Sequence, residues 1–180
     1  YEVRQGHYFK DESFDGHGGG ASLRLYHRFN PARLIPLNLV VQGGAHYSTY
    51  ATADKTDANF VLPEDRVSTF TRVGLRFAGK EPMLYTDLAM EVSLWFERQW
   101  RVDHGAYGFG GDRRIEPSTD LYWLYAGLNY AWTNSGNQFT FAVTLGGSEG
   151  ADRFSAWRLG GVLPLAAEFP LALPGYYYQE

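Results

Sequence analysis

Cysteine is absent from the 180 residues, so disulfides, thiol catalysis and cysteine-ligated metal are excluded, a composition that fits a secreted envelope protein. Long hydrophobic runs are absent too. No stretch approaches the roughly 20 apolar residues that a spanning helix needs. Positive charge is sparse, with 16 Lys and Arg against 20 Asp and Glu and a net charge of −4. Without a basic stripe, that balance excludes the electrostatic footprint of a nucleic-acid binder. Methionine and a signal peptide are missing at Tyr1, as expected of a processed or excised chain whose export route is not legible. Metal and phosphate sites lack their patterns. His7, His17, His27 and His104 have no ligand spacing. Neither Gly18-Gly19-Gly20 nor Gly110-Gly111 leads into Lys and Ser/Thr at a helix start, so both read as loop glycines. No cofactor is expected.

What is present is aromatic and apolar content, 17% and 44% of residues, ample for a single domain over 1–180. Its arrangement has period two. From 84 to 102, Leu84, Leu88, Met90, Val92, Leu94, Phe96, Trp100 and Val102 share one face of an extended chain, broken only by Thr86 and Arg98. Asp87, Glu91, Ser93, Trp95, Glu97, Gln99 and Arg101 fall on the other. A helix would mix the two sets. The same split puts Val67, Val73, Leu75 and Phe77 opposite Ser68, Phe70, Arg72, Gly74 and Arg76, and Phe139, Phe141, Val143 and Leu145 opposite Thr140, Ala142 and Thr144. Segment 121–132 turns Tyr122, Leu124, Leu128, Tyr130 and Trp132 to its apolar side. In 21–29 and 35–50, Leu23, Leu25, Phe29, Ile35, Leu37, Leu39 and Val41 face out, with Arg24, Arg28, Asn38, Gln42 and His46 inward.

Connections alternate between tight, at Asn30 to Leu34, Gly79 to Pro82 and Thr133 to Asn137, and long, at Ala51 to Arg66 and Asp103 to Ser118. Short turns on one side and long polar loops on the other are the asymmetry of a transmembrane antiparallel up-and-down β-barrel of the bacterial outer membrane. Seven or eight strands are expected here. The outward aromatics then form two interfacial girdles, Phe29, Phe77, Tyr130, Trp132 and Phe139 at the turn end and Tyr47, Trp100 and Tyr122 at the loop end. The competing architecture is a soluble sandwich or lipocalin-like barrel with its aromatic face turned to a core. Wholly apolar faces on such long strands favour lipid.

On the inner face, a tight Gly79 to Pro82 turn with Ala78 opposite Tyr85 predicts two ion pairs, Arg76 with Asp87 and Arg72 with Glu91. Charged interiors brace closed barrels as well as lining open ones, so these pairs read first as structural. His46 and Ser48 share a face, and with Glu91 or Glu97 they sketch an outer-membrane lipid hydrolase without a nucleophile elbow. A non-enzymatic protein is the expectation.

After the strand ending near Gly147 come Leu159, Gly160 and Gly161, and later Gly175 and Tyr176. These elements resemble the Leu-Gly-Gly and Arg-Gly-Tyr elements of the BamA and two-partner-secretion superfamily of outer-membrane barrels, with Pro174 at the arginine's place. The resemblance covers about the last 28 residues. It implies that 148–180 is an extracellular loop folded into the lumen, that the barrel is the middle of a sixteen-stranded one, and that the protein works in protein insertion or translocation beside other outer-membrane or periplasmic proteins. Alternatively, 155–169 is an eighth strand and Tyr1 to Phe9 the first of a small closed barrel, serving as an envelope anchor, adhesin or narrow pore.

Overall fold

The computed structural model describes residues 2–3, 12, 14–79, 88–132, 134–152 and 154–155. Its strands are β1 (Glu2–Val3), β2 (Phe14–Arg28), β3 (Leu37–Thr52), β4 (Phe60–Val61), β5 (Arg66–Gly79), β6 (Leu88–Arg101), β7 (Ala106–Phe109), β8 (Arg113–Arg114), β9 (Ser118–Trp132) and β10 (Asn137–Glu149). All pair antiparallel. One seven-stranded sheet runs β1-β2-β3-β5-β6-β9-β10, and β4-β7-β8 form a small second sheet. Among the described residues no pairing joins β10 to β1 or β2, so the sheet is open and does not close into the small barrel of the alternative expectation.

The two faces of the large sheet are those that the alternation assigns, with the apolar face the more exposed and the charged face the more buried. On β6, Leu94 and Phe96 are 56% and 45% exposed, while Glu91, Ser93 and Glu97 are 3%, 1% and 4% exposed. Apolar residues form horizontal rows on the exposed side. One crosses five strands as Leu39, Leu75, Leu94, Leu124 and Leu145. The row above it is Leu25, Val41, Val73, Phe96 and Tyr122, and the row below is Leu37, Phe77, Val92, Ala126 and Val143.

The inner face is layered. A polar row, Arg24, Gln42, Arg72 and Glu97, lies beside an apolar one, Val40, Gly74, Trp95 and Trp123. Trp95 and Trp123 stack with centroids 5.9 Å apart and planes 12° from parallel. Gly74 makes this layer feasible, since a Cβ there would sit 2.2 Å from the Trp95 ring.

The turn ends are built by local chemistry. Asn30 organises the β2–β3 connection by donating to the Ile35 carbonyl at 2.9 Å and accepting from the Leu37 amide at 2.7 Å. Gly136, at φ 68°, closes the β9–β10 turn. Three expectations need correction. Gly18, Gly19 and Gly20 belong to strand β2 rather than a loop. They are in the sheet because Gly18 and Gly20 leave room for the His46 ring and the β3 backbone across the ladder. The β5–β6 register places Ala78 opposite Glu91, not Tyr85, six residues further along than a tight Gly79 to Pro82 turn allows. The long segments Ala51 to Arg66 and Asp103 to Ser118 are not merely polar loops, because they contain β4, β7 and β8.

Gly74→Val should destabilise the sheet by about 1–3 kcal/mol through overpacking against Trp95. A denaturation midpoint unchanged from the parent chain would show that the Trp95 layer does not depend on that gap.

Candidate functional site: the charged inner face and its cap

The register correction shifts partners without moving side chains between faces, because six is an even number of residues in a period-two strand. Arg72 therefore meets Glu97, its Nε donating to Oε2 at 2.6 Å, in place of Glu91. Arg76 reaches Glu91, Nη2 to Oε2 at 2.8 Å. Asp87, its expected partner, lies outside the described residues. The Trp layer gives the physical reason, since the Trp95 ring occupies the space that a Cβ at Gly74 would take, and that contact sets Arg72 against Glu97.

Each pair is tied into a wider network. Gln99 donates to Glu97 at 2.6 Å, Ser93 donates to Glu91 at 3.2 Å, and the Arg72 guanidinium lies 5.3 Å from the Trp123 centroid. Arg24 grips Gln42 through Nε and Nη2 at 3.0 and 2.8 Å. The carboxylates of β6 are thus satisfied by guanidinium and neutral donors, as buried charge requires.

His46 and Ser48 do meet, with Nδ1 and Oγ 3.0 Å apart. Glu91 and Glu97, on β6, are committed to Arg76 and Arg72 of β5, which lies between β6 and β3.

The outward aromatics lie on the more exposed face of the sheet. Phe29, Phe77, Trp132 and Phe139 are exposed toward the turn end, Tyr47, Trp100 and Tyr122 toward the loop end, and Tyr130 is half-buried against Trp132, with centroids 4.9 Å apart. Leu159, Gly160, Gly161, Gly175 and Tyr176 lie outside the described residues.

Sequence reasoning missed a cap at the loop end. Phe14 of β2, Phe60 of β4, Tyr107 of β7 and Ile115 form a buried cluster against which Tyr50, Leu62 and Phe154 pack. Glu12 clamps Arg113 of β8 through two hydrogen bonds at 2.8 and 2.9 Å. Burial opposes the charge on Arg113, but the Glu12 hydrogen bond and charge outweigh it and raise its pKa. Phe60, Leu62, Tyr107 and Ile115 were the available signal, apolar residues inside stretches otherwise read as polar loops.

Comparisons with family models, with curated proteins and with solved structures gave no match to this chain.

Replacing Glu97 by Leu should cost about 3–5 kcal/mol, because Arg72 is left as an uncompensated, largely buried charge. The exchange Arg72→Glu with Glu97→Arg should recover much of that loss, and Arg72→Glu with Glu91→Arg should not. Urea midpoints for the three variants decide the register, and rescue by the Glu91 exchange would reverse it.

Proposed function

We propose that this chain is an integral β-barrel protein of the bacterial outer membrane that acts non-enzymatically, with the lipid bilayer as the partner of its outer face. The inverted burial carries the reading. A water-soluble sheet hides its apolar face and shows its polar one, whereas here several consecutive rows of Leu, Val and Phe are exposed while Glu91 and Glu97 are buried. From Phe96 to Leu88 the apolar band spans about 27 Å along the strand at ~3.4 Å per residue. Tilted by about 40° it covers about 20 Å, near the ~25 Å of an outer-membrane barrel before its flanking aromatics are added. Trp100 above and Trp132 below suit the interfacial girdles. The polar pair Arg98–Asp120, at 3.4 Å on the outer face, supports an upper boundary just past Phe96.

Within that class, protein insertion or translocation in the BamA-like manner is the role implied by Leu159, Gly160, Gly161, Gly175 and Tyr176, so it rests on sequence resemblance. One observation favours a second role, that of envelope anchor or narrow pore. The inner face of β6 carries ion pairs and stacked tryptophans, and a hydrophobic cap sits at the loop end.

Leu94→Arg, in the middle of the leucine row, should lower insertion stability by about 2–4 kcal/mol if that row meets the bilayer midplane. Folding into lipid vesicles, read by band shift and protease protection, measures it. A chain that is monodisperse in buffer without detergent, or a Leu94→Arg variant that inserts like its parent, would remove the membrane reading in favour of a soluble sheet.

A further inference from the structure

The cap contains a feature that apolar packing alone does not require. Arg66, at the start of β5, is 2% exposed and forms no ion pair with a described residue. Its Nη2 donates to the Tyr50 hydroxyl at 2.7 Å, its Nη1 is buried without a hydrogen-bond partner, and its guanidinium lies 4.3 Å from the Phe154 centroid and 5.0 Å from that of Tyr50. Arg101 stands on the neighbouring strand opposite Ser68, a diagonal neighbour of Arg66 on the same inner face. Its partner is Asp152, Nη1 to Oδ2 at 3.4 Å, with both side chains buried. Arg101 also donates to the Glu116 carbonyl at 2.9 Å, to the Thr119 hydroxyl at 3.0 Å and to the Gln99 side-chain oxygen at 2.9 Å.

Asp152 and Phe154 both come from the short segment that follows β10. Asp152 Oδ1 accepts from the Phe154 amide at 2.9 Å and from the Ser155 amide and hydroxyl at 3.1 and 2.9 Å, so the segment is braced chiefly by its own bonds. The rest of the molecule supplies a receptor with two compartments. The Glu116 amide donates to Asp152 Oδ2 at 3.0 Å, completing a carboxylate seat with Arg101. Phe14, Tyr50 and Tyr107 place their rings 6.3, 5.7 and 5.4 Å from the Phe154 centroid, completing an aromatic seat with Arg66.

We propose that this is a binding site for an acidic–x–aromatic peptide segment, and that Asp152 and Phe154 occupy it as an intramolecular, autoinhibitory latch. The receptor is built by β2, β3, β5, β6 and the segment between β6 and β9, while its occupant is a self-braced turn. The Arg66 Nη1, buried without a hydrogen-bond partner among the described residues, favours a competing segment that carries a further acceptor beside the aromatic ring. Occupied, the site joins the end of β10 to the start of β2 and closes the loop end. Vacated, it exposes two arginines and an aromatic cleft. The inference rests on the cap alone and holds whether the outer face meets lipid or water.

The test uses the full chain in detergent micelles and a fluorescein-labelled peptide that copies residues 149–155. An Asp152→Asn, Phe154→Ala double variant should bind this peptide at least about tenfold more tightly than the parent chain, whose latch competes. Adding Arg101→Met to the double variant should abolish binding, and so should removing the acidic and aromatic side chains from the peptide. Equal binding to parent and double variant, or no binding to a double variant whose circular dichroism matches the parent, overturns the proposal. The milder Phe154→Leu variant covers a failure of the double variant to fold, and unfolding of both would mark the segment as fixed core and count against a latch.

Discussion

The structure depends on one constraint: the central strands β5 and β6 have two unlike faces and carry most of their charges on the less exposed one. A soluble sheet meets that situation by turning the charges outward. Here Glu91, Glu97, Arg72 and Arg76 are held on the occluded face, so each must find a partner there or lose the free energy of its hydration. Pairing is what makes the inner face tolerable. The leucine row across five strands is the other half of the same constraint, since the charges gathered on the inner face leave the outer positions to apolar side chains.

Register follows from packing on the inner face more than from the turn. Trp95 needs a neighbouring strand that yields space, and Gly74 is the position on β5 that supplies it. With that contact made, Arg72 falls against Glu97, and Arg76 lies diagonal to Glu91. A tight turn at Gly79 to Pro82 is a local preference. The β5–β6 register departs from it because a displaced Trp95 would disrupt both the tryptophan stack and the ion pairs beside it.

This explains which features were legible in the sequence. Face assignment was, because period-two alternation survives any even shift, and so Leu94, Phe96, Glu97 and Arg72 all lie on the sides that the pattern gave them. Partners were not, because the pairing of Arg72 depends on the shape of Trp95 and the absence of a side chain at residue 74, neither of which hydropathy records. The cap was illegible for a related reason. Phe14, Tyr50, Phe60, Tyr107 and Phe154 are far apart in the chain, and only the common loop end of the sheet brings them together. Gly18 and Gly20 misled in the opposite direction, since glycine marks close backbone approach inside a strand as well as a turn.

The edges carry the argument one step further. Among the described residues, no strand flanks the outer edge of β10, and β1 accompanies β2 only at Phe14 and Asp15. Hydrocarbon does not tolerate a lipid-exposed sheet edge, because water is not there to satisfy its amides and carbonyls. If the outer rows meet lipid, both edges must be paired by chain outside the described residues. The loop end shows how such a closure begins. Phe154, just past β10, packs at 6.3 Å against Phe14, the first residue of β2, although four strands lie between β2 and β10 in the sheet. The sheet is therefore already rolled at that end, with its polar face inward, and the pairing that the edges require would continue a curvature that Arg66, Asp152 and Phe154 hold in place.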